Sequence, residues 1–206
     1  MTLRRADAER LERCIAAGGV AIFPADTVYG LACDPQDPAA VERLYELKGR
    51  SADKAAAVLF FALDAALAKL PELGQRTRAA LERLLPGPIT VLLLNPQRRF
   101  PLACGAELAT LGLRVPALPA SIAPLHAVRR PVLQSSANRS GGPDAHTLDR
   151  VDPALRSGAD LVLDGGALPG TPSTVLDLRA YEDGGSWSVL REGAAARTVL
   201  AAALDG

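Results

Sequence analysis

Four short segments of this chain carry residue types that hold anions. "KGRSADK" sets Lys48, Arg50 and Lys54 within seven residues, just after a glycine that ends a helical pattern. On an irregular segment three cations can converge on a polyphosphate, as they cannot around a regular helix. Arg114 stands inside the apolar strand pattern "LGLRVP", and Arg191 repeats this in "SVLREG". A charge there needs an anionic partner or one open face, because an unpaired buried charge is costly. "QSSANRSGG", residues 134–142, follows the strand pattern "PVL" and offers hydroxyls, an amide and backbone N–H groups suited to phosphate. Ser173-Thr174 is a further small polar step at a strand start, and "FPADTVYGLACD" sets Asp26 and Thr27 among apolar neighbours. Taken singly, each also reads as a solvated charge run, a polar turn or a capping hydroxyl.

Other chemistries lack their residues. There is no GxxxxGK[ST], GxGxxG, HExxH or GxSxG segment. The two histidines, His126 and His146, cluster with nothing at ligand spacing, so neither a zinc site nor His-based catalysis is expected. Cys14, Cys33 and Cys104 are far apart, form no CxxC pair and read as small buried hydrophobes of a reduced, cytoplasmic protein. Lys+Arg and Asp+Glu both number 23, which argues against a broad nucleic-acid-binding face but not against a local basic cluster. No stretch approaches the ~20 apolar residues of a membrane span, and the charged N-terminus lacks a signal-peptide core. An enzyme of this composition works by positioning and charge, with no covalent nucleophile.

The elements that must position these groups follow from periodicity. Helices are expected over "DAERLERCIAAGG", "DPAAVERLYELKG", "RTRAALERLL", residues 119–129, "TLDRVDPALRSG" and "GAAARTVLAAALDG". In the second, Asp37 caps, Pro38 fits the first turn and Gly49 suits the end. Strands are expected at "GGVAIF", "AAAVLFF", "ITVLLL", "LGLRV", "PVLQS" and "DLVLDGG", with "STVLDL" and "WSVLRE" as a final pair. Near-continuous apolar strands interleaved with helices give an α/β fold. Because strands twice follow one another directly, the sheet is expected to be mixed. No linker or repeat divides residues 1–206, so one domain is expected.

Read in order, "PADTVYGL", "KGR…K", "PGPIT", "LRVP", "SSAN.SG", "STVLDL" and "LREG" resemble the YrdC-like family of threonylcarbamoyl-AMP synthases. The resemblance runs from about residue 10 to residue 200, and it is to the short, single-domain form. It implies a twisted mixed sheet flanked by helices around a concave, positively charged cavity. The implied reaction joins L-threonine, bicarbonate or CO2, and ATP into threonylcarbamoyl-adenylate and pyrophosphate, with Mg²⁺. A partner transferase then carries the product to tRNA, and weak tRNA binding is possible. The alternative is a divergent nucleotide- or RNA-binding relative without synthase activity. A hydrogenase-maturation type of carbamoyl-adenylate domain ranks last, because such domains sit inside longer multidomain chains.

Residue by residue, the resemblance gives Lys48, Arg50 and Lys54 to the ATP phosphates, with charge stabilisation by Lys48 and Arg50. Thr110, Ser136, Asn138, Ser140 and Arg191 are implied as further nucleotide contacts. Arg114 is implied to take the threonine carboxylate, with Thr27, Gln134 and Ser173 around the amino acid. No protein ligand to the metal is implied, and Asp26 is expected to bond backbone N–H groups of its loop. Ala25, Ser51, Ala55, Ala56 and Asp144, and Gln134-Ser135 before "SAN", depart from the family's usual residues.

Overall fold

The computed structural model describes residues 1–205. Its sheet is built of β1 (Ala21–Pro24), β2 (Tyr29–Cys33), β3 (Ala57–Leu59), β4 (Ile89–Leu94), β5 (Thr110–Arg114), β6 (Val132–Ser136), β7 (Leu161–Val162), β8 (Thr174–Asp177) and β9 (Ser188–Arg191). The spatial order is β7-β1-β2-β6-β3-β5-β4-β8-β9. The β1/β7, β3/β5 and β4/β8 pairs are parallel and the others antiparallel, so the sheet is mixed, as the strand order in the sequence implied. The helices are α1 (Arg5–Ala16), α2 (Pro38–Lys48), α3 (Leu63–Lys69), α4 (Gln75–Leu84), α5 (Pro153–Gly158), α6 (Tyr181–Gly184) and α7 (Arg197–Leu204). Among the described residues, no helix is long and apolar enough to cross a membrane.

The two sheet faces are covered unequally. On one face Ile22, Leu31, Val58, Val91, Leu93, Leu111 and Leu113 pack against apolar residues of α2 to α7. On the other, Ala21, Phe23, Ala32, Leu59 and Val132 meet Leu11 and Ile15 of α1 and Ile122 and Leu125 near a short 3-10 turn. That second cover stops at the β6/β3 region. Because side chains alternate along a strand, the outward residues of β3, β5, β4 and β8 are left as the floor of a cavity.

Several expected elements are shorter. Residues 119–129 hold only a 3-10 turn, Ala123–Ala127, because Pro124 lacks an N–H and disfavours helix at the residue before it. "TLDRVDPALRSG" splits at its proline: Leu148–Arg150 is a 3-10 turn, and Asp152 caps α5 with Pro153 in the first turn. The strand in "DLVLDGG" shrinks to two residues. Strand β2 and helices α3 and α6 lie outside the expected set. The rest stand, and α2 follows its sequence signals closely. The Asp37 carboxylate accepts from the Ala39 and Ala40 amides at 3.0 and 3.2 Å, and Gly49 ends the helix in the left-handed region, φ 60°.

Candidate functional site

The open half-face forms a cavity of about 350 Å³. Its floor is Ala57 of β3, Thr90 and Leu92 of β4, Thr110, Gly112 and Arg114 of β5, and Val175 of β8. Gln134 and Ser136 of β6 close one side. Intervening Val91, Leu93, Leu111 and Leu113 point into the core, so the same β alternation that fills the core furnishes the site.

One end of the cavity is set by the β1–β2 hairpin. β1 and β2 pair from Ala21↔Ala32 to Pro24↔Tyr29, which makes Ala25–Val28 the hairpin loop. Thr27 O accepts from Gly170 N at 2.9 Å, tying the tip down. The Asp26 carboxylate accepts from Arg114 Nη2 at 2.7 Å with Oδ1 and from Ala117 N at 3.1 Å with Oδ2. Arg114 also donates to Thr27 Oγ1 at 3.4 Å and, through Nη1, to Gln134 Oε1 at 3.2 Å. All four side chains are buried. Burial pushes the Asp26 carboxyl up and the Arg114 guanidinium down, and in each case the partner's charge opposes the shift. The partner that Arg114 required is therefore present within the chain. Asp26 bonds one backbone N–H, as expected, but in another loop, and its ion pair with Arg114 was not foreseen.

Beside this network, Ser173 Oγ and Thr90 Oγ1 are 2.9 Å apart, and Arg191 Nη2 donates to Ser173 O at 2.7 Å. Arg191 thus stands at the Arg114 end, close enough for its charge to depress Arg114 further.

The other end is organised around Lys48. Its Nζ donates to Ser136 O, to Asn138 O at 2.8 Å and to Asn138 Oδ1 at 2.9 Å, while Lys48 O accepts from Ser140 N at 2.9 Å. The 136–140 turn is thus folded around a buried ammonium. Burial, and then the charge of Arg50, depress Lys48 to about 8, against the pull of Asp144. The three cations of "KGRSADK" separate: Lys48 lies behind the turn, Arg50 lines the cavity and Lys54 is exposed. Arg50 is held by the Lys54 and Ala55 carbonyls, and its guanidinium lies 6.0 Å from the Tyr45 ring centroid.

Of the residues singled out from sequence, Arg50, Thr110, Arg114, Gln134, Ser136, Ser173 and Arg191 line the cavity. Thr27, Lys48, Lys54, Asn138 and Ser140 do not, and four of them, Thr27, Lys48, Lys54 and Asn138, bond residues that do. Thr90, Glu107 and Arg179 also line it and were missed. Thr90 had a signal, a hydroxyl entering the apolar run "ITVLLL"; Arg179 lies two residues beyond Asp177 in "STVLDLR". Ala55, Ala56 and Asp144, which depart from the family's usual residues, line the cavity too. Among the described residues no three His, Cys, Asp or Glu gather as a metal cluster.

A family model for Sua5, YciO and YrdC proteins, described as "Telomere recombination", matches residues 13–193. A threonylcarbamoyl-AMP synthase of Nitrosococcus oceani is 36% identical over 154 residues, covering 74% of this chain and 82% of the relative. Another, from Chromohalobacter salexigens, is 36% identical over 180 residues, covering 85% of this chain and 96% of the relative. The crystal structure of Pyrococcus abyssi Sua5 complexed with L-threonine superposes with a TM-score of 0.85 at 26% identity, over 99% of this chain. This chain spans 59% of that longer protein. On these matches, and with the same mixed sheet, the chain belongs to the Sua5/YciO/YrdC family.

Proposed function

We propose that this chain is a threonylcarbamoyl-AMP synthase. One observation carries the reading: a single cavity has a buried Arg114–Gln134–Ser173 end, backed by Thr27, suited to an amino acid and an Arg50–Thr110–Ser136 end suited to phosphates. Four lining arginines, Arg50, Arg114, Arg179 and Arg191, against the carboxylates Glu107 and Asp144 support a positively charged cavity. The names of the two bacterial relatives and the threonine complex of the archaeal one support the substrates.

On this reading, threonine enters with its carboxylate toward Arg114. Both Nη2 hydrogens are engaged by Asp26 and Thr27, so one Nη1 hydrogen and Nε remain for the substrate. Among the described residues Nε is buried and without a partner, a donor that a bound carboxylate would satisfy. The threonine amine and bicarbonate or CO2 form a carbamate, whose oxygen attacks the α-phosphate of ATP and releases pyrophosphate. No enzyme nucleophile is needed. The chain aligns two anions and stabilises the charge that develops between them. Arg50, Thr110 and Ser136 take the nucleotide, and Arg191 lies where the two substrates meet. Lys48 acts through the turn it holds. Mg²⁺ would come with the nucleotide phosphates and supply charge neutralisation, with no protein ligand assigned to it. The product passes to a tRNA-modifying transferase, and the whole chain works as one domain.

The test is incubation with ATP, Mg²⁺, bicarbonate and labelled threonine. Threonine-dependent pyrophosphate release is expected. Its absence, together with no threonine binding, overturns the proposal.

A further inference from the structure

One lining cation is unaccounted for by the motifs. Arg179 follows β8, and Asp177 grips it as a fork, Nε to Oδ1 at 2.9 Å and Nη2 to Oδ2 at 2.7 Å. The same Oδ1 accepts Arg179's own backbone N–H at 3.0 Å, which fixes the pair to the strand end. The remaining nitrogen, Nη1, is turned away from Asp177 and donates to Thr110 Oγ1 at 3.3 Å. Among the described residues its second hydrogen has no partner, and the Arg179 side chain stays 39% exposed.

Two consequences follow. The Thr110 hydroxyl accepts from Arg179, so its own proton is available to an anionic oxygen. Two donors, one of them charged, then converge from one side of the cavity. The register adds the second consequence. Leu94 pairs with Thr110 and Leu92 with Asp177, which sets the Arg179 backbone roughly 10 Å, two strand spacings, to one side of Thr110, from where its side chain reaches back. Parallel pairing of β3 with β5 places Ala55, whose carbonyl holds Arg50, on the other side. Cations therefore flank Thr110. Among the described residues no aromatic side chain lines this cavity to stack a base, so these donors suit phosphoryl oxygens better than a nucleobase. Asp177 and the nearby Glu107 offset the charge of Arg179, which leaves directed hydrogen bonds as its main contribution.

We propose that Arg179, oriented by Asp177 and acting with the Thr110 hydroxyl, binds the pyrophosphate portion of the nucleotide on the side opposite Arg50. This rests on the ATP-dependent reading above. The test is calorimetry on the full chain with pyrophosphate, Mg²⁺-ATP, AMP and L-threonine. For Arg179→Ala, pyrophosphate and ATP should weaken about tenfold, the scale of one charge-assisted hydrogen bond at a half-exposed site, while AMP and threonine change less than about twofold. Asp177→Asn should give the same pattern at smaller amplitude. Unchanged pyrophosphate affinity in Arg179→Ala overturns the proposal. So does a loss for AMP alone, which would put the guanidinium on the nucleoside, or an equal loss for all four ligands with a lowered melting temperature, which would make it structural. A wild-type chain that binds neither ATP nor pyrophosphate sinks the synthase reading as well. Wild-type binding that Arg179→Ala leaves intact sinks this inference alone.

Discussion

Arg114 and Asp26 are 88 positions apart in the chain and 2.7 Å apart in the fold, with both side chains almost wholly removed from water. A pair like this contributes less through its own attraction than it costs when half of it is removed. Asp26→Ala should therefore lower unfolding stability by about 3–5 kcal/mol, read as a shifted denaturant midpoint with little change in slope. A loss under about 1 kcal/mol would mean that Arg114 finds another counter-ion. Replacing both residues with apolar ones should cost much less than Asp26→Ala alone. Lys48 has a pH signature. With its amine depressed to about 8 from an ordinary 10.5, the amine is protonated in both states below about 8, and the fold carries the full desolvation cost. Between about 8 and 10.5 the unfolded chain holds more protons, so the Lys48 contribution makes stability rise with pH. Lys48→Met should flatten that slope in denaturation curves. Nucleotide affinity should fall over the same window, as the amine loses a donor to the 136–140 turn.

At the scale of elements, the β1–β2 hairpin decides where the amino-acid end lies. Gly30 faces Ser136 in the register, and a methyl group placed there would sit 2.8 Å from Gln134 Nε2 and 3.1 Å from the Phe23 ring. The glycine is needed for close approach, since its backbone is ordinary extended strand. Gly30→Ala should leave the far-ultraviolet dichroism intact while displacing Gln134. Threonine affinity should drop about tenfold, the scale of a lost buried hydrogen bond, with AMP affinity held. Equal loss of both ligands would show a general sheet defect. Strand β2 also shows why part of this element was illegible. "VYGLAC" is apolar throughout, so periodicity cannot separate a strand from a buried loop, and only pairing with β1 and β6 on either side decides it.

Over the whole molecule, early and late segments interleave in one sheet. β7 pairs with β1 at one edge, and β8 reaches β4 and so joins the C-terminal strands to the middle of the chain. No cut through the sequence leaves two independent sheets. Calorimetric unfolding should show one transition whose calorimetric and van't Hoff enthalpies agree, and two resolved transitions would contradict the single-domain proposal. The cavity belongs to this scale too, since it exists only because α1 and the 123–127 turn cover half of one face.

The sequence by itself determined the class of chemistry and most of the frame. Hydroxyls, amides and arginines without a nucleophile or metal cluster point to anion positioning. Near-continuous apolar strands between amphipathic helices implied a covered α/β sheet, strands following one another directly implied that it is mixed, and Asp37, Pro38 and Gly49 marked both ends of α2. What only the tertiary structure decided was which charges are free. Lys48, Arg50 and Lys54 look alike along the chain, yet one is spent inside a turn, one lines the cavity and one faces solvent. Arg114 looked unpaired, and Arg179 did not stand out at all. The physical reason is that local sequence fixes periodicity and turns, whereas a charge's partner and its exposure depend on strands brought together from distant parts of the chain.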